Sequence, residues 1–165
     1  MSFVCTVCGQ THDSLPTWGY RRPDAWLRLT EAEQSRGQCN DDLCRTPDQQ
    51  CFVRAVIELQ LIGGPEPTFE IGAWVQLAPA AFDRYVDTFK DSNQSRIGRL
   101  PAVLSNEVRA FPGSLWLRGI LAPQDNLQRP FLLLDPTDHP LGVAQREGVS
   151  FAKVLEIIHP DEVRH

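Results

Sequence analysis

The sequence predicts an α+β fold: a mostly antiparallel sheet of roughly four to six strands with packed helices, preceded by an N-terminal zinc-knuckle arm. Three observations carry this expectation. Cys5-Thr6-Val7-Cys8-Gly9 sets two thiols two residues apart with a glycine directly after, and His12 follows closely. Residues 51–61 and 69–77 alternate apolar and polar side chains on either side of Gly63-Gly64-Pro65. The stretches that begin at Pro79, Pro140 and Ser150 carry helix-start chemistry.

At the N-terminus the chemistry is that of a metal. A C-x2-C turn can fold around one ion, because the N–H groups of the turn point at the sulfurs and stabilise thiolate. Gly9 supplies a residue able to take positive φ as the chain leaves the turn. Structural zinc takes four protein ligands, so two more are needed. The expected set is Cys5, Cys8, His12 and Cys44, the last arriving about thirty residues later to close a loop. Cys39 competes for that place, and Asp42 more weakly. A redox C-x-x-C belongs after a strand, at a helix start within a βαβ pattern, and this one opens the chain. Cys51 begins an apolar strand pattern and reads as a small buried hydrophobe.

Residues 13–29, with Pro16, Trp18, Gly19, Pro23 and Trp26, predict an irregular arm lying over the core. Thr30-Glu31-Ala32-Glu33 has the form of a capping box, for a short helix reaching about Arg36 and ended by Gly37. A polar loop, 38–50, holds Cys39 and Cys44. The two alternating stretches then pair as an antiparallel hairpin, which needs no long crossover. Phe82, Tyr85, Val86 and Phe89 recur at helical spacing after Pro79, giving an amphipathic helix whose aromatic stripe faces the core.

Residues 91–114 are loop-rich, with one short strand near 97–104. Strands are expected over 114–121 and 129–135, joined by a turn around Pro123-Gln124-Asp125-Asn126. The continuously apolar Phe131-Leu132-Leu133-Leu134 suggests a central strand covered on both faces. Thr137-Asp138-His139-Pro140 starts a helix, with Asp138 as its cap and Gly148 as its stop. Ser150 caps a last helix whose Phe151, Val154, Leu155 and Ile158 share a face. The expectation is one domain over 1–165, with a metal-bound arm and short helix at 1–50 and an α+β core at 51–165.

Composition narrows the function classes. The 165 residues are 42% hydrophobic and 22% charged, ordinary for a globular domain. Five cysteines, an odd number with one C-x-x-C, fit a metal in a reducing compartment better than a secreted disulfide framework. No stretch has the length and apolarity of a membrane span, and no basic region precedes an apolar run at the N-terminus. A cytoplasmic location is therefore expected. The net charge is −5 and the arginines are scattered, which disfavours nucleic acid as a partner.

Phe3-x-Cys5-x-x-Cys8-Gly9-x-x-His12, Leu15-Pro16, Asp42-Leu43-Cys44, Phe52-x-Arg54, Gly72-x-Trp74-Val75, Thr137-Asp138-His139-Pro140-Leu141 and Gln145-Arg146-Glu147-Gly148 occur in this order. Together they resemble the bacterial family known as domain of unknown function 2199, over nearly the whole chain from Phe3 to about Ile158. The resemblance implies no activity. It does favour Cys44 over Cys39 as a ligand, since the family pattern has a cysteine after Asp-Leu and an apolar residue near position 39. Cys39 is this sequence's departure from that pattern and leaves the last ligand open.

No Ser-His-Asp order, nucleophile elbow or phosphate-cradling glycine loop is present, and no catalytic residue is nominated. The expected function is that of a non-catalytic, zinc-stabilised protein-binding module, immunity- or adaptor-like, with a protein as its partner. Its binding surface would draw on Arg54, Trp74, Trp116 and Arg118 on one sheet face, together with Asp138 and His139. The competing expectation is a small zinc hydrolase with an open metal position near Asp138 and His139.

Overall fold

The computed structural model describes residues 2–16 and 18–159. Strands β1 (Phe3–Val4) and β2 (Thr11–His12) form a small hairpin, followed by β3 (Trp18–Gly19), helix α1 (Asp24–Leu27) and helix α2 (Glu31–Gln34). Next come β4 (Gln38–Cys39), β5 (Leu43–Arg45), the long strands β6 (Cys51–Ile62) and β7 (Thr68–Leu77), and α3 (Pro79–Asp87). The chain continues with β8 (Leu100–Leu104), β9 (Arg118–Ala122), β10 (Phe131–Leu134), α4 (Pro140–Glu147), β11 (Val149–Ser150) and α5 (Phe151–Ile158).

The long hairpin is the frame. β6 and β7 pair antiparallel from Cys51↔Leu77 to Gln60↔Thr68, across the expected Gly-Pro turn. Val53, Ala55, Ile57 and Leu59 point inward and are fully buried, as the period-two pattern requires.

The mostly antiparallel sheet of four to six strands with packed helices is not what forms. β6, β7, β8, β9 and β10 close into a five-stranded mixed barrel, because β10 returns to β6 in parallel register at Phe131↔Val56. Val56 N–H donates to Pro130 C=O at 2.9 Å to complete that seam. With β3, β4, β5 and β11 joined to it, the sheet has nine strands among the described residues, and the helices are few and short. The physical reason lies in the length of β6. Its one edge serves β7 throughout, while its other edge takes β5, β10 and β11 in succession. A strand with three successive partners on one side can bend its sheet round until it meets itself. A barrel this small has no lumen, and side chains from Ala73, Val75, Ala102, Leu121 and Leu132 fill it.

Two sequence expectations change as a result. Leu132 is inside the barrel but Leu133 is exposed, so the apolar run of β10 is not covered on both faces. β9 begins only at Arg118, because residues 114–117 are held in turns: Leu117 N–H bonds Ser114 C=O, and Trp116 takes φ +77°. Other local expectations hold. Thr30 and Glu33 form the reciprocal capping box of α2, Pro79 opens α3, and Ser150 caps α5. Gly148 stops α4 at φ +95°, and a Cβ there would meet an Ile62 side-chain carbon at 2.9 Å. Only glycine lets the chain turn so sharply against β6 and enter β11.

Of the irregular arm expected over 13–29, residues 18–29 lie against the barrel, but they carry β3 and α1 rather than being irregular throughout. This segment is tied by Asn106, which is fully buried. Asn106 Oδ1 accepts from Trp74 N–H, while Nδ2 donates to Arg22 C=O and Asp24 Oδ1. At the other end, α5 packs beside the N-terminal hairpin, with Phe151 edge-on to Phe3 at 5.0 Å between ring centroids. This contact positions the site.

Candidate metal centre

β1 and β2 are the two sides of a knuckle. Cys5 N–H donates to Gln10 C=O and Gly9 N–H to Cys5 C=O, both at 2.8 Å, with Gly9 at φ +74°. This closes the C-x2-C turn as its spacing required. The cross-strand partner of Phe3 is His12, whose ring stands 5.5 Å from that of Phe3. His12 is thereby turned towards Cys8, with Nε2 3.4 Å from Cys8 Sγ. From the far end of the chain, His159 at the C-terminus of α5 brings Nε2 to 3.4 Å from Cys5 Sγ.

Cys5, Cys8, His12 and His159 form a group whose donor atoms all lie within 4.8 Å of one another. Zinc–sulfur bonds of about 2.3 Å and zinc–nitrogen bonds of about 2.0–2.1 Å in a tetrahedron put sulfur and nitrogen about 3.5 Å apart. The two sulfur–nitrogen separations match that figure. Two thiols and two imidazoles are soft and borderline donors, suited to zinc among the common divalent ions.

The structure brings together three of the expected ligands and replaces the fourth. Cys44 lies in β5, opposite Cys39 of β4, and packs with Trp26, Phe52 and Trp74. Its thiol donates to Cys39, which pulls the Cys39 thiol below its ordinary range; the same bond and burial push Cys44 up. Neither joins the four-donor group. Asp42 is also elsewhere, its carboxylate paired with Arg129 Nε at 3.2 Å. Cys51 is buried in the barrel core. His159 was missed because nothing local links it to Cys5, 154 positions away. Its one signal is a position at the end of an amphipathic helix whose apolar face must dock somewhere.

The residues expected to form a binding surface are dispersed. Arg54 and Trp74 are cross-strand partners on the outer barrel face, as their phase implied. The arm covers them, however: Trp74 is fully buried and its Nε1 donates to Tyr20 C=O at 3.1 Å. Trp116 is 51% exposed, and Arg118 is also exposed at the start of β9. Asp138 is exposed and does not cap α4; His139 does, its Nδ1 accepting from Leu141 N–H at 3.1 Å. Its Nε2 faces Pro112 C=O at 2.9 Å and must carry the proton there, since a carbonyl only accepts. Both ring nitrogens of His139 are thus committed to structure, and neither Asp138 nor His139 belongs to the four-donor group.

No described helix is long and apolar enough to cross a membrane. No curated protein and no solved structure matches the chain. A family model does, over residues 4–149, under the description "Uncharacterized protein conserved in bacteria (DUF2199)". Three of the four clustered donors lie within that span and His159 beyond it. By this match, the chain belongs to the bacterial DUF2199 family.

Proposed function

We propose that this protein is a non-catalytic, zinc-stabilised binding module of the bacterial cytoplasm, acting by association with a protein partner rather than by turnover. The observation that carries the proposal is the number of donors. Two cysteines and two histidines within 4.8 Å fill a tetrahedral shell, which leaves no position for a reactive water. A hydrolase needs such a position and a base beside it, and His139 has no ring nitrogen to spare for that task. The partner surface in this reading centres on the exposed Trp116 and its neighbour Arg118, the residue types that dominate binding energy at interfaces.

Elemental analysis of protein purified without added metal tests the metal. About one zinc per chain is expected for the wild type and for Cys44→Ser, and a substoichiometric amount for His159→Ala. Full retention by His159→Ala together with loss in Cys44→Ser would return the site to the sequence-based ligand set. Zinc that is retained by His159→Ala and exchanges with solvent ligands such as azide would favour the hydrolase.

A further inference from the structure

Two of the five cysteines stand outside both the knuckle and the barrel core, and the sheet register sets them against each other. Cys39 of β4 is the cross-strand partner of Cys44 of β5. On the turn side of the pair, Asn40 N–H donates to Leu43 C=O at 2.9 Å, so Cys39 and Cys44 exchange no backbone hydrogen bonds with each other. Pairs of this kind hold their Cα atoms about 4.5 Å apart, inside the roughly 4.4–6.8 Å that a disulfide spans. Both side chains leave the same face of the hairpin, and the Cys44 thiol already donates to the Cys39 sulfur.

The two thiols differ in their surroundings. β4 is the outermost strand of the sheet, and Cys39 is half-buried there, within reach of a small solute. Cys44 is 1% exposed and packs with Trp26, Phe52 and Trp74. The bond from Cys44 outweighs burial and holds the Cys39 thiol below its ordinary range; Arg22 adds to this and Asp41 opposes it. Cys39 is thus the nucleophile that solvent reaches, with Cys44 behind it. No other described thiol can take either part. Cys51 pairs with Arg45, one position on from the Cys44–Phe52 pair, so its side chain leaves the opposite face and is buried in the barrel. Cys5 and Cys8 belong to the four-donor group.

We propose that Cys39 and Cys44 form an oxidation site for hydroperoxides, in which Cys39 takes the oxygen and Cys44 resolves it as a disulfide. The Cys39 thiolate attacks one peroxide oxygen: an S–O bond forms, the O–O bond breaks, and the departing alkoxide or hydroxide takes a proton from solvent. The Cys44 sulfur then displaces hydroxide from the Cys39 sulfenic acid. An S–S bond forms, the S–O bond breaks, and the Cys44 proton leaves with the hydroxide as water. Two electrons pass from the sulfur pair to one hydroperoxide, which ends as an alcohol (water, from hydrogen peroxide) and one water. Contact between the two sulfurs favours the disulfide over further oxidation of Cys39 to sulfinic acid. The site uses none of the four clustered donors, and stands or falls independently of them.

Trypsin supplies the readout, because residues 37–45 are released as one peptide holding Cys39, Cys44 and no other cysteine. The full-length chain is treated with stoichiometric hydrogen peroxide under native conditions, alkylated with iodoacetamide in denaturant, digested and weighed by mass spectrometry. Peptide 37–45 is expected to lose both alkylation sites and two hydrogens, and dithiothreitol before alkylation should restore both sites. In Cys44→Ser, whose hydroxyl can still donate to Cys39, peroxide should leave a sulfenic acid on Cys39 that dimedone captures. A wild-type peptide 37–45 that keeps both alkylation sites would overturn the proposal, whether or not the variant folds. So would conversion of Cys39 to sulfinic acid with no disulfide, or a folded Cys44→Ser chain that yields no dimedone adduct at Cys39.

Discussion

Cys39 and Cys44 show how a single side-chain contact sets reactivity. They face each other across the β4–β5 hairpin, and the Asn40 N–H to Leu43 C=O bond beside them marks theirs as a non-hydrogen-bonded pair, where side chains stand closest. Cys44 donates its S–H, so the thiolate of Cys39 is favoured and its pKa lies below the usual thiol value. Removing the donor in Cys44→Ala should let the Cys39 pKa rise. Less thiolate would then be present near neutral pH, and alkylation of Cys39 by iodoacetamide should slow. Mass spectrometry of the time course measures this; an unchanged rate would mean that Cys44 does not act on Cys39. The pair was visible in the sequence as two cysteines five apart, but only the register of two short strands reveals that they touch.

At the scale of elements, the loop between β8 and β9 is organised by one carboxylate. Glu107 accepts from the Ser114 hydroxyl and from the backbone N–H groups of Gly113, Ser114 and Leu115. Burial alone would raise its pKa, yet these hydrogen bonds together outweigh burial and hold it below the ordinary value. A depressed carboxylate pKa stabilises the fold above the unfolded-state value, about 4.3, and that contribution is lost as pH falls through the folded value. Glu107→Gln should therefore lower stability at pH 7 by on the order of 1 kcal/mol after allowance for solvent screening, and by less at pH 3. Urea midpoints at the two pH values check this, and an equal loss at both would show the charge to be irrelevant. Elements of this kind were partly legible. The β6–β7 hairpin followed from alternation, because burial of one face imposes period two. The capping box of α2 followed from Thr30 and Glu33, because those side chains satisfy backbone donors wherever they occur. The cap of α4 was misread, since aspartate is the commoner cap and the capping imidazole of His139 depends on a carbonyl from residue 112.

For the whole molecule, barrel closure is the property that local pattern did not contain. The run Phe131–Leu134 announced burial, but no periodicity says that Phe131 will meet Val56 in parallel. The same holds for His159, whose partner is decided by where α5 docks. Both are long-range pairings, formed only after the chain has collapsed. With zinc at the four donors, Cys5 and His159 close a loop of 154 residues, worth about 5 kcal/mol in the chain-entropy description. Stripping the metal with a strong chelator should lower the thermal midpoint by roughly 10 °C. Calorimetry with and without chelator, at matched ionic strength, is the measurement. A midpoint that does not move would mean the clustered donors hold nothing that matters to the fold.

The placement of Cys5 and His159 side by side has a mechanical corollary. If one ion bridges the knuckle and the end of α5, a force applied at the two ends of the polypeptide runs through the coordination bonds and bypasses the barrel wall. In single-molecule stretching, the rupture of that bridge would come first. The strands would feel tension only once it had parted.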